Sequence, residues 1–274
     1  MKPLRTAAVL GAGAVGSALL EELPHAGLRV LAAWTRRSGL EPPPLRDVDV
    51  VLIAVPDGAV AALCARLEVG RGQLVAHLAG ALDLAPLAAA RRKGARTGSL
   101  HPLRAFVRGQ RQDFDGAAAG ISGSDAAARD QLAQLARRLG MMPVATQDRS
   151  RALYHAAAVL AAGGQVALFS EAVRTFRKAT GASEPAARAA LFPLALGALE
   201  KLRSLPATGA LTGPAVRGDF QTIAAHRKAL PKNLLQLYDA LTTVMLRLRQ
   251  PEARSPKPEA ASKHSRRHRP RRRP

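Results

Sequence analysis

Thr6–Leu10 is a short apolar run, followed by Gly11-Ala-Gly13-Ala-Val-Gly16 and then by a stretch rich in Ala and Leu. No other feature restricts the fold as much. Glycines at this spacing between a strand and a helix do three jobs. The first allows a tight turn, the second leaves the backbone open to a pyrophosphate, and the third lets helix and strand touch. The helix start adds unpaired N–H groups and positive potential for an anion. Without a ligand the same residues form a plain strand–helix turn. Their place at the head of a βαβ unit favours a dinucleotide site built from Gly11, Gly13, Ala14, Val15 and Gly16. A secretory leader is the competing use of such a segment. Three glycines would weaken its apolar helix, and Glu21-Glu22-Leu23-Pro24 is a poor cleavage site.

The first half of the chain alternates apolar runs with Ala/Leu stretches, as βαβ units around a parallel sheet do. Strands are expected at Thr6–Leu10, Leu28–Trp34, Val48–Val55, Gln73–Leu78, the stretch leading to Ser99, Ala117–Ser122 and Met142–Ala145. Helices are expected at Val15–Leu23, Gly58–Leu67, Leu84–Lys93 and Asp125–Leu139. Beyond residue 147 only helical patterns remain: one long helix over 148–178, a second from Ser183 to Ser204 kinked at Pro193, and a third opened by Pro231. On the third, Leu234, Leu237, Tyr238, Leu241, Val244, Met245 and Leu248 form one apolar stripe. The expected class is therefore α/β, with a parallel-sheet domain over 1–146, an all-α domain over 147–250 and a basic tail over 251–274. Aromatic residues at 3% argue against an all-β fold, which draws on them heavily.

The second strand separates the two nicotinamide cofactors. NAD binders place an acid about 20 residues beyond the glycines, against the ribose hydroxyls. Here Thr35-Arg36-Arg37-Ser38 stands there, with no acid before Glu41. Arg36 and Arg37 suit a 2′-phosphate, so NADP is expected ahead of NAD; the alternative is two solvated arginines. Ligands of open α/β sheets lie at the carboxyl ends of the strands. That puts Val55-Pro56-Asp57 and Gly80 beside the nicotinamide half, although Asp57 also suits a helix N-cap.

A net charge of +21 points toward polyanions, but +7 of it sits in residues 251–274. That tail, rich in Pro, Ser and Arg, is disordered by composition and would contact polyanions non-specifically. The single cysteine, Cys64, excludes an internal disulfide and a Cys-clustered metal site, and no metal is expected. Its Ala/Leu surroundings suit a small buried side chain. No apolar run is expected to reach membrane-spanning length; residues 152–169 are broken by His155, Gly163, Gly164 and Gln165.

Ser99-Leu-His101-Pro102, Tyr154-His155-Ala-Ala-Ala158 and Leu211-Thr-Gly213-Pro214-Ala-Val-Arg217-Gly218-Asp219, after the glycine turn and Ala54-Val55-Pro56-Asp57, carry a resemblance. The chain resembles a bacterial family in which a Rossmann-like NADP-binding domain precedes a C-terminal domain of unknown function. That family is similar to ketopantoate reductase, prephenate dehydrogenase, pyrroline-carboxylate reductase and the deazaflavin-dependent NADP reductases, a 6-phosphogluconate-dehydrogenase-like group. The resemblance covers 5–250 and implies the fold and a nicotinamide cofactor, with no substrate.

On their own chemistry, His101 at a strand end is either a general acid or base or a hydrogen-bonded turn histidine. His155, among alanines, has room beside it for a ligand. The resemblance implies a serine where Ala79 stands, a lysine before His155 where Arg151 stands, and an asparagine after it where Gly163 stands. Arg151 can bind an anion but stays charged, so it does not replace a lysine in proton transfer. Arg217 suits a carboxylate or phosphate. Asp219 either orients His155 or Arg217 or caps a helix near Phe220. His77 and His226 read as structural. Together these residues describe a cytoplasmic NADP-dependent oxidoreductase acting on a small anionic substrate. Its site would lie between the glycine-turn crevice and the α domain, and its dimer would form through that domain. The alternative is an NADP(H)-binding sensor or scaffold that has lost turnover.

Overall fold

Residues on β1 (Thr6–Leu10) alternate between two apolar cores: Ala7 and Val9 enter one, Ala8 and Leu10 the other. The same alternation divides β3 (Val50–Ile53), with Val50 and Leu52 opposite Val51 and Ile53. A strand buried on both faces must be apolar throughout, which explains the unbroken runs in the sequence. The structure, a computed structural model, describes residues 3–35, 37–39, 41–107, 109–110 and 113–249. Arg36 and the 251–274 tail lie outside the described residues.

Seven strands make one sheet: β1, β2 (Arg29–Trp34), β3, β4 (Leu74–His77), β5 (Arg96–Leu103), β6 (Ala118–Gly123) and β7 (Met142–Ala145), in the order β2-β1-β3-β4-β5-β6-β7. All pairs are parallel except β5–β6. The parallel-sheet domain expected from the sequence is there, with this one antiparallel pair. Among the described residues between β5 and β6 there is no helix, and the chain returns antiparallel. Helices α1 (Ala14–His25) and α4 (Ala126–Arg138) pack into one core. On the other face lie α2 (Val60–Arg66) and α3 (Ala88–Arg92). Asp125 caps α4 by accepting from the Ala128 N–H at 2.7 Å.

The remaining helices are α5 (Arg151–Ala161), α6 (Gly163–Thr180), α7 (Glu184–Lys201), α8 (Ala207–Ala210), α9 (Pro214–Arg217), α10 (Phe220–Ala229) and α11 (Lys232–Arg249). The single helix expected over 148–178 is two. Ala162 departs from helical geometry (φ −118°, ψ −77°) just before Gly163 and Gly164, whose missing side chains hold a helix poorly. By length and composition alone, Asp148–Thr180 is apolar enough to cross a membrane, which departs from the expected absence of such a run. Two compact units divide between Ala167 and Leu168. Among the described residues the second unit has a thin core, its buried apolar residues being Val173, Ala187, Ala210, Ala215 and Ile223. The α11 stripe stays partly exposed, with Thr242 the buried residue on that helix.

Candidate active site

The glycine turn has the form its spacing implied. Gly11 has φ +119°, and a Cβ on it would overlap the Ala54 carbonyl. A Cβ on Gly16 would run into the Gly11 carbonyl oxygen and come within 3.2 Å of the Ala54 Cβ, so this glycine sets how closely α1 meets the sheet. Gly13 is different: no atom lies within 4 Å of where its Cβ would be, and the space stands open at the start of α1. This cradle fits a dinucleotide pyrophosphate. A cleft of about 550 Å³ runs from it past Trp34, Thr35 and Arg37 to Val55, Pro56 and Arg66. Arg37 is exposed at the cleft, and Glu41 is held by Arg66 at 3.0 Å. Asp57 is exposed and starts a single 3-10 turn, Asp57–Ala59; no side chain caps that turn or α2, so the N-cap expectation for Asp57 is corrected.

Gly80 follows β4, and its neighbours are two histidines. A Cβ there would overlap the His155 ring and lie 2.8 Å from the His101 Nε2. His101 sits on β5 at the carboxyl end of the sheet's parallel run, edge-on to His155 with ring centres 5.7 Å apart. Its Nδ1 is 2.9 Å from the Tyr154 hydroxyl. The Tyr154 hydroxyl in turn occupies the space that a Cβ on Gly120 would fill. These rings border a cavity of about 620 Å³ walled by Pro102 and the Ala157–Ala162 stretch.

Arg151 lies beneath this cluster and is 1% exposed. Its Nε donates to the Leu82 carbonyl at 3.0 Å and its Nη1 to the Thr146 hydroxyl at 3.0 Å. Its Nη2 donates to the Ala79 carbonyl and the Ser99 hydroxyl, both at 2.6 Å. The guanidinium ties α5 to the ends of β4, β5 and β7, so the expected anion anchor is a structural cation instead. Burial pushes the His101 imidazole down to about 4, and the Arg151 charge pushes the same way, followed by His155 and His77. His101 is therefore neutral at physiological pH. Burial likewise holds His77 low and raises the Tyr154 phenol and the Cys64 thiol.

In the second unit, Arg217 ends α9 and is exposed. Asp219 caps α10, one oxygen accepting from the Thr222 N–H at 3.0 Å and the other from its hydroxyl at 2.7 Å. Those two bonds hold its carboxyl below the usual carboxylate range. His226 meets the Tyr238 hydroxyl at 2.8 Å.

Sequence reasoning missed Tyr154, Ser99, Trp34 and Arg66. For Tyr154 a signal existed: Arg151, Tyr154 and His155 fall at i, i+3 and i+4, one face of a helix.

Residues 117–245 match the family described as Domain of unknown function (DUF2520). This stretch takes in β6, α4, β7 and the helices as far as most of α11. Upstream of the matched stretch lies the glycine turn, and solved structures share the fold. A candidate NADP oxidoreductase from Bacteroides fragilis superposes with a TM-score of 0.69 at 20% identity, covering 89% of this chain and 98% of its own. A protein from Thermotoga maritima gives 0.69 at 21% identity over the same shares. The reductive aminase of Aspergillus terreus, solved with NADPH and ethyl-5-oxohexanoate, gives 0.60 at 18%, covering 90% and 94%. The fold is a Rossmann-like α/β domain followed by a helical domain. No curated protein matches the chain.

Proposed function

We propose that this chain is an NADP-dependent oxidoreductase for a small anionic substrate. One observation carries the reading. The carboxyl ends of β1, β3, β4 and β5 bring together an open glycine cradle, Val55-Pro56, Gly80 and a neutral histidine. When bound, the nicotinamide supplies or takes the hydride. The chain's own part is to hold and place. The Gly11–Gly16 turn would seat the pyrophosphate, and Arg37, with Arg36, the 2′-phosphate. Val55, Pro56 and Gly80 would shape the nicotinamide end. His101 and His155 would hold the proton near the reacting atom.

The reductive aminase and the Bacteroides protein support the cofactor by the chemistry named for them. Calorimetric titration at moderate salt should show tighter binding of NADPH than of NADH, with the difference lost in Arg36→Ala/Arg37→Ala. Equal or absent binding of both nucleotides would remove the oxidoreductase reading.

A second reading has its own observation. Arg151 cannot release a proton, and Ala79 offers the site only a backbone carbonyl, already taken by Arg151. An NADP(H) sensor or scaffold would bind the cofactor yet turn over none of a carbonyl and imine panel. The folding of residues 6–25 as β1 and α1 supports a cytoplasmic chain over a secreted one. The tail would add salt-sensitive polyanion binding, lost on deleting 251–274.

The apolar surface of α6 and α7 supports a homodimer. Phe192 is 57% exposed and Leu194 72%, a concentration of apolar surface that marks a contact site.

A further inference from the structure

Tyr154 has no part in the function just proposed, yet its hydroxyl is the hydrogen-bond partner of His101. A neutral imidazole carries one ring proton, and the partner of one nitrogen decides which nitrogen holds it. The Tyr154 hydroxyl has one proton to give and lone pairs to receive. Its other neighbours are electropositive. The Arg151 guanidinium lies over its ring at 5.3 Å, and the Gly120 backbone bonds the hydroxyl in the sense that favours its anion. Neither takes a proton, whereas the His101 Nδ1, 2.9 Å away, can accept one.

We propose that Tyr154 is a positioning residue: it donates its hydroxyl proton in a hydrogen bond to the His101 Nδ1, and so fixes the ring as the neutral tautomer with its N–H at Nε2. That N–H faces Gly80, where a Cβ would lie 2.8 Å away. Gly80 has no Cβ to overlap the His101 and His155 rings. There His101 serves as an uncharged hydrogen-bond donor to the carbonyl oxygen or imine nitrogen of a substrate. The apolar cavity walled by Pro102 and the α5 alanines receives the substrate body. Low polarity strengthens such a bond without requiring a charged acid. The titratable and charged groups facing His101 are Arg151, Tyr154 and His155 from α5 and His77 from β4. Burial, with the Arg151 charge acting the same way, holds the ring neutral, and Tyr154 sets its tautomer.

The use of Nε2–H toward substrate rests on the oxidoreductase reading; the tautomer does not. Long-range proton–nitrogen NMR on the full-length, nitrogen-labelled protein reads it directly, with His101 assigned through His101→Gln. The expected result is a protonated Nε2 and bare Nδ1 between pH 7 and 5, with no titration near the ordinary histidine value. Tyr154→Phe, which keeps the ring over Arg151, should lose that preference and show an Nδ1–H population while NADPH affinity stays unchanged. An Nδ1–H in the unaltered protein, or the same tautomer in Tyr154→Phe, overturns the proposal. The first of these needs no variant to fold. A protein that shows the expected tautomer but binds no NADPH would keep Tyr154 in its role and remove the oxidoreductase reading.

Discussion

At the scale of single residues, the distinctive choice is a buried cation hydrogen-bonded to neutral oxygens. Arg151 gives its donors to four neutral oxygens and leaves positive potential under His101. Both His101 and His77 are held neutral, so the folded protein binds fewer protons than the unfolded chain once pH falls below the ordinary histidine value of about 6.5. Their effect on stability is absent above that value and grows as pH drops toward the folded pKa of His101, about 4. Urea midpoints should therefore fall between pH 7 and 5, and His101→Gln should flatten the slope. A slope unchanged in that variant would contradict the assignment. Arg151→Ala strands buried acceptors and should cost on the order of 3 kcal/mol in urea unfolding. It should also raise the His101 pKa. The sequence shows that an arginine stands before His155. It does not show that its oxygens come from residues 79, 82, 99 and 146, which only the closed sheet brings together.

Elements built on local physics were legible, and those decided by long connections were not. Strands buried on two faces leave an apolar run in any chain, so Thr6–Leu10 has the bounds its run suggests; Met142–Ala145 also matches its run, although it is an edge strand and largely exposed. The direction of β6 has no such trace, because it depends on the connection that precedes it. The α5–α6 break was half visible in Gly163-Gly164 but masked by the alanines around it. The glycine turn yields a prediction that separates its positions. Gly13→Ala meets only open space, so its thermal midpoint should stay within about 1 °C of the parent. Its NADPH affinity should fall at least about tenfold, since the methyl occupies the pyrophosphate approach. Gly16→Ala should lose thermal stability as well, because the added methyl runs into the Gly11 carbonyl. Thermal scans beside calorimetry would tell the two apart; equal behaviour would argue against the cradle.

For the whole molecule, the second unit buries few apolar side chains for the number it carries. Phe192 meets Phe169 edge-on at 6.1 Å, yet Phe192 and Leu194 still face outward. Light scattering should give the mass of two chains, and Phe192→Glu/Leu194→Glu should shift it toward one. A monomeric parent would show that this surface serves something else. The dimer expectation rests on the α11 stripe, and a stripe is the same in sequence whether its partner is the same chain or another. Trp34 has one more consequence. It is the chain's one tryptophan, 6% exposed at the end of β2 and lining the cleft beside the glycine turn. Indole emission overlaps the absorption of reduced nicotinamide. The protein thus carries its own optical reporter, a lone emitter a few ångströms from where the cofactor would lie. Quenching of that emission with sensitised nicotinamide light would register occupancy without any label, and its spectral shift on unfolding would report the sheet edge in the same cuvette.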